Sequence, residues 1–129
     1  MIIEHIGLAV TAPHSMADWY IQHLGFTLRR GGGSDQDGVA FIADPSQEVM
    51  IELFRNPVTP AMTWDGLAPL TLHFALKSDD PLADAARLVA AGATFIERNA
   101  RTPNPGDILI LLHDPWGNVL QLVKREIQF

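Results

Sequence analysis

Four polar side chains sit inside apolar runs of this 129-residue chain. They are His5 in Ile3-Glu4-His5-Ile6-Gly7-Leu8, Glu52 in Met50-Ile51-Glu52-Leu53-Phe54, His73 in Thr71-Leu72-His73-Phe74-Ala75-Leu76, and Gln121 in Val119-Leu120-Gln121-Leu122-Val123. Two imidazoles, a carboxylate and an amide oxygen form a ligand set suited to a divalent transition metal. Their spacing repeats. His73 follows His5 by 68 positions and Gln121 follows Glu52 by 69. Each half of the chain therefore carries a histidine early and an acid or amide late.

The elements that would position these residues repeat too. Residues 2–10 alternate as a strand, with Ile6, Leu8 and Val10 on one face and Ile3, His5, Gly7 and Ala9 on the other. Pro13 suits a first helical turn, the helical spacing runs through Leu24, and Gly25 supplies the stop. Strands are expected at Phe26–Arg30, Val39–Ala43 and Val49–Arg55. The Gly31–Gly38 turn lacks the pattern of a phosphate loop. Residues 57–69 hold Pro57, Pro60 and Pro69 and read as a connection, where Met62 and Trp64 serve as a lid or as packing. The pattern then restarts. A strand is expected at Leu70–Ser78, and a helix capped by Asp80 and Pro81 runs to Ala91 and stops at Gly92, 67 positions after Gly25. Three strands follow at Ala93–Glu97, Asp107–His113 and Asn118–Lys124, with a loop at Asn99–Gly106 and a tight turn at His113–Asn118. The chain thus reads βαβββ twice, as an α+β fold. A repeated unit too small to bury its own sheet implies two copies sharing one structure, with two sheets enclosing a cavity lined by the four polar residues.

Composition bounds the function. An apolar fraction of 47% with 19% charged residues is that of a globular domain, and no apolar run nears the roughly 20 residues of a membrane helix. The formal charge of −6 and the scattered basic residues argue against a nucleic-acid partner. The absence of cysteine fits a reducing cytoplasm, and no signal peptide is evident. His14, His23 and His113 fall at unrepeated positions and read as structural or surface residues. Asp114, Gly117 and Asn118 are accounted for by their turn.

The chain resembles the vicinal oxygen chelate superfamily, which includes glyoxalase I, bleomycin-resistance proteins and extradiol dioxygenases. The resemblance rests on His5-Ile6-Gly7-Leu8-Ala9-Val10, on Trp19-Tyr20 through Leu24-Gly25-Phe26, and on Asp114-Pro115-Trp116-Gly117-Asn118-Val119-Leu120-Gln121-Leu122. It implies one glyoxalase-like domain of two paired modules, residues 1–56 and 70–129, joined by 57–69. It also implies a divalent metal (Zn, Ni, Mn, Co or Fe) held by His5, Glu52, His73 and Gln121. Glu52 would move a proton on a small substrate that chelates the ion through vicinal oxygens, by lyase or isomerase chemistry, in a homodimer. Gln121 departs from the glutamate usual at its position; an amide can ligate but cannot act as a base. With one carboxylate the ion keeps a net positive charge and is the stronger Lewis acid. Two alternatives stay open: a metal-free drug-binding protein of the bleomycin-resistance type, and an extradiol dioxygenase using His5, His73 and Glu52.

Overall fold

The computed structural model describes residues 1–98 and 104–127. Of the expected 99–106 loop, residues 99–103 lie outside the described residues. The chain divides into two compact units, Met1–Thr63 and Trp64–Phe129. The first holds β1 (His5–Ala9), α1 (Pro13–Leu24), β2 (Thr27–Gly32), β3 (Val39–Ala43) and β4 (Met50–Phe54). The second holds a 3₁₀ turn (Pro69–Thr71), β5 (Phe74–Lys77), α2 (Pro81–Ala90), β6 (Thr94–Arg98), β7 (Ile108–His113) and β8 (Val119–Lys124). Each unit forms one four-stranded sheet, in the orders β1-β4-β3-β2 and β5-β8-β7-β6. The first and last strands of each module pair in parallel and the other pairs are antiparallel. The expected βαβββ repeat is the observed one.

In the first sheet one face buries Leu8, Ala40, Ile42, Ile51 and Leu53, and α1 packs on β3 and β4. Helix α1 contributes Met16, Ala17, Trp19 and Tyr20, which recur at the helical interval and are all buried. Gly25 ends it at φ 74°, a conformation glycine takes without steric cost. Its other end has no capping side chain of its own, because Ala12 holds the N-cap position. The loop after β2 supplies the cap. Asp35 accepts from the backbone N–H of His14 at 2.7 Å and of Ser15 at 3.1 Å, and from the Ser15 hydroxyl. The glycine-rich loop is therefore tied to α1 by a side chain 20 residues downstream.

These bonds hold the Asp35 carboxyl below the usual carboxylate range, chiefly through the Ser15 hydroxyl and then the two N–H groups, against partial burial. A depressed folded pKa contributes stability that is present above the ordinary value and lost as pH falls through the depressed one. Asp35→Ala is expected to cost about 1 kcal/mol at neutral pH, as losing an N-cap does. The penalty should shrink on acidification, and urea melts of both proteins at two pH values check this. A penalty that stays constant with pH would count against the capping role.

In the second unit Asp80 caps α2 through the Ala83 N–H at 3.1 Å, and Ala85 and Leu88 are buried. Strand β8 is buried from Val119 through Val123, and β7 from Leu109 through Leu112. The expected strand at Leu70–Ser78 is corrected: only Phe74–Lys77 joins the ladder. Pro69 offers no N–H to a sheet and sets φ for a turn. Thr71 N–H then closes back on the Ala68 carbonyl at 2.9 Å. His73 consequently stands one residue before β5.

The turn between β7 and β8 is built on a buried carboxylate. Asp114 accepts from the N–H groups of Trp116 and Asn118, each at 2.9 Å, and from the Asn118 amide at 2.7 Å. Gly117 sits at φ 88°. The Trp64 indole N–H donates to the Asn118 side-chain oxygen at 3.1 Å, which settles Trp64 as packing on this turn. His113 bonds the Gly117 carbonyl at 2.8 Å.

Candidate functional site

The face of the first sheet opposite α1 gathers the chemistry. The register places Gly7 beside Glu52, Glu52 beside Phe41, and Phe41 beside Arg30, across β1, β4, β3 and β2. His5 lies two residues before Gly7 on the same face. Its Nε2 stands 3.4 Å from Glu52 Oε2, and its ring meets Phe41 edge-on with centroids 5.4 Å apart. Gly7 leaves the space that Glu52 occupies, since a Cβ there would lie 3.1 Å from Oε2.

His5 Nδ1 bonds the neighbouring Glu4 carboxylate. That bond raises the His5 pKa; partial desolvation opposes it, and the Glu4 and Glu52 charges add to it. It also assigns a proton to Nδ1 and so presents Nε2 toward Glu52. Metal-binding histidines commonly have this arrangement, with the far ring nitrogen held by a carboxylate. Two donors each about 2.1 Å from a tetrahedral ion stand about 3.4 Å apart. The His5–Glu52 separation has that value, so these two residues fit a divalent ion.

His73 and Gln121 belong to the second unit. His73 is half-buried. Gln121 is 8% exposed and stands beside Ala75 and Leu111 in the ladder. No fully buried side-chain N or O among the described residues lacks a partner. Within those residues, no three His, Asp or Glu side chains gather as a metal-binding group. The structure thus brings His5 and Glu52 together and places the other two candidates in a separate unit.

Beside the His5–Glu52 pair opens a cavity of about 470 Å³, lined among others by Arg30, Val39, Phe41, Glu52, Phe54 and Arg55. Its volume is in the range of small-molecule sites, about 300–1,000 Å³. Met50, Glu52 and Phe54 share this face, as alternation in β4 requires.

Arg30 is absent from any reading of the sequence by alternation. The reason is a bulge. Leu28 pairs with Ile42 and Arg30 with Phe41, which leaves Arg29 as the extra residue and turns Arg30 onto the cavity face. The second module bulges at the same step, between Phe95 and Glu97. His14 and His23 are structural, as expected: His14 bonds the Gly32 carbonyl at 3.1 Å, and His23 packs on Trp19.

The family model of the glyoxalase/bleomycin resistance protein/dioxygenase superfamily matches residues 2–122. The chain belongs to that superfamily. Solved structures show the same fold at low sequence identity. A glyoxalase family protein from Bacillus cereus is 15% identical with a TM-score of 0.74, over 95% of this chain and 93% of that one. TnmS3, an antibiotic binding protein from Streptomyces sp. CB03234, is 22% identical with a TM-score of 0.63, over 95% of this chain and 93% of that one. A glyoxalase I variant from Zea mays is 18% identical with a TM-score of 0.68, over 96% of this chain but 44% of that longer one. No curated protein matches the sequence. Among the described residues no helix is long and apolar enough to cross a membrane.

Proposed function

We propose that this superfamily member is a metal-dependent enzyme of the glyoxalase-like type, acting by lyase or isomerase chemistry on a small substrate with vicinal oxygens. The observation that supports it most is the His5–Glu52 pair, two donors at the separation a divalent ion requires, with Glu4 behind the imidazole. His5 and Glu52 would hold the ion, and His73 and Gln121 would complete its ligand set. Zn, Ni, Mn, Co and Fe(II) all accept such donors. A bound ion would supply Lewis acidity toward substrate oxygens. The chain's own groups do the rest. The Glu52 carboxylate, given room by Gly7, is the group placed to accept and return a proton. The Phe41 and Phe54 rings line the cavity beside it. Calorimetric titration of chelator-stripped protein with each metal tests this reading, and the absence of saturable binding would end it.

A second reading, a metal-free ligand-binding protein, is favoured by the cavity itself, which has aromatic walls and charged groups without needing an ion. The fold it shares with an antibiotic binding protein agrees with that.

The same reading includes a homodimer. Strands β1 and β2 are the free edges of the first sheet, and edges invite pairing or cover. Light scattering at micromolar concentration is expected to give twice the 14.2 kDa of one chain. A monomer mass would refute the dimer.

A further inference from the structure

The cavity carries more charge recognition than the His5–Glu52 pair uses. Arg30 is exposed, lines the cavity and forms no ion pair among the described residues. A second guanidinium in the lining, that of Arg55, donates to the carbonyls of Thr11 at 2.9 Å and Asp35 at 3.2 Å. Those bonds fix its position and leave its charge uncancelled. Two carboxylates also line the cavity. Asp37 is engaged by the N–H and hydroxyl of Ser34, and Glu52 stands beside His5. The acid and the free guanidinium are thus kept at separate places. Arg30, Phe41 and Glu52 are successive neighbours across β2, β3 and β4. Strands lie about 4.8 Å apart, so Arg30 and Glu52 are roughly 10 Å apart along that line, with the Phe41 ring between them.

We infer that the cavity takes a ligand carrying a carboxylate at one end, which Arg30 binds, with an apolar body lying over Phe41 and Phe54 and its other end at His5 and Glu52. The inference rests on the reading of this cavity as the functional site. Arginine suits the task, because its planar fork matches the two oxygens of a carboxylate. The bulge at Arg29 is what brings that fork to this face. General attraction of anions does not explain such binding, since the chain carries a net charge of −6. The preference must come from the local guanidinium.

The test uses phenylacetate and its neutral isostere phenylacetamide. Each is titrated into protein stripped of metal and dialysed free of chelator, and followed by NMR shifts of the cavity residues. Phenylacetate is expected to bind tighter by on the order of ten-fold, as a charge-assisted pair gives. Arg30→Gln should remove that difference while leaving phenylacetamide binding and the melting temperature unchanged, and Arg30→Lys should keep part of it. Equal binding of the two probes, or an Arg30→Gln protein that still prefers the carboxylate, would overturn the inference. Metal titration of the same samples separates the two readings. A carboxylate preference without metal binding upholds this inference and removes the enzyme reading. Metal binding without the preference does the reverse.

Discussion

Replacing His5 or Glu52 by alanine is expected to lower divalent-metal affinity by more than about 100-fold, enough to erase the calorimetric signal. The size follows from the geometry. His5 Nε2 and Glu52 Oε2 are 3.4 Å apart, so removing either leaves a single donor on that face of the sheet. Even groups that only orient a ligand are worth about 10–100-fold in affinity, and a direct ligand is worth more. Glu4→Gln should therefore fall in that smaller range, because it weakens the bond that fixes the imidazole. Gly7→Ala is a further control. Its Cβ would press on Glu52 Oε2 from 3.1 Å and displace the carboxylate without removing it. Gln121→Ala should cost less than either direct replacement, since a neutral amide is the weakest donor of the set, and Gln121→Glu should tighten the ion. A native protein that binds none of Zn, Ni, Mn, Co or Fe(II), or a Glu52→Ala protein with undiminished affinity, would refute the metal assignment.

The second large effect is on stability and lies far from that pair in the chain. Asp114→Ala is expected to destabilise the protein by about 3 kcal/mol or more. Asp114 is 3% exposed and Asn118 is 2% exposed. Without the carboxylate, the N–H groups of Trp116 and Asn118 and the Asn118 amide lose their acceptor in a place water hardly reaches. Each stranded donor costs about 1–3 kcal/mol. Such a loss is a large share of a typical stability of about 5–15 kcal/mol. It should lower the melting temperature by about 10 °C. Asp114→Asn keeps an acceptor for the backbone groups and should lose less. Trp64 offers an independent readout, because its indole bonds the Asn118 that Asp114 holds. Scanning calorimetry of both variants decides the matter, and an Asp114→Ala protein that melts within 2 °C of native, roughly half a kcal/mol, would show that the turn stands without its carboxylate.

Much of this was legible in the residues because local rules and the repeat agreed. Gly25 and Gly92 take positive φ at the helix ends, Asp80 caps α2 through its side chain, and the chain closes into two sheets of matching order. The pairing of His5 with Glu52 was also within reach, because alternation puts both on the polar-bearing face of their strands. Three features were not. The start of β5 is one, because the apolar alternation from Leu70 masks the single residue, Pro69, that diverts the backbone into a turn. The cap on α1 comes from Asp35, and no local rule links position 35 to position 14. The face of Arg30 is the third, because alternation presumes that every residue advances the ladder by one step. Arg29 does not, and every later residue of β2 changes face.

That extra residue has a counterpart. The irregular step in β6 falls between Phe95 and Glu97, each 67 positions after Leu28 and Arg30. The two modules thus kink at the same step of the same strand. What the copies have exchanged is the sign of the charge it presents, arginine in one and glutamate in the other. The bend in the ribbon is common to both modules, and the side chain it presents is not. A duplicated chain can in this way hold one architecture steady while its two halves come to favour opposite partners.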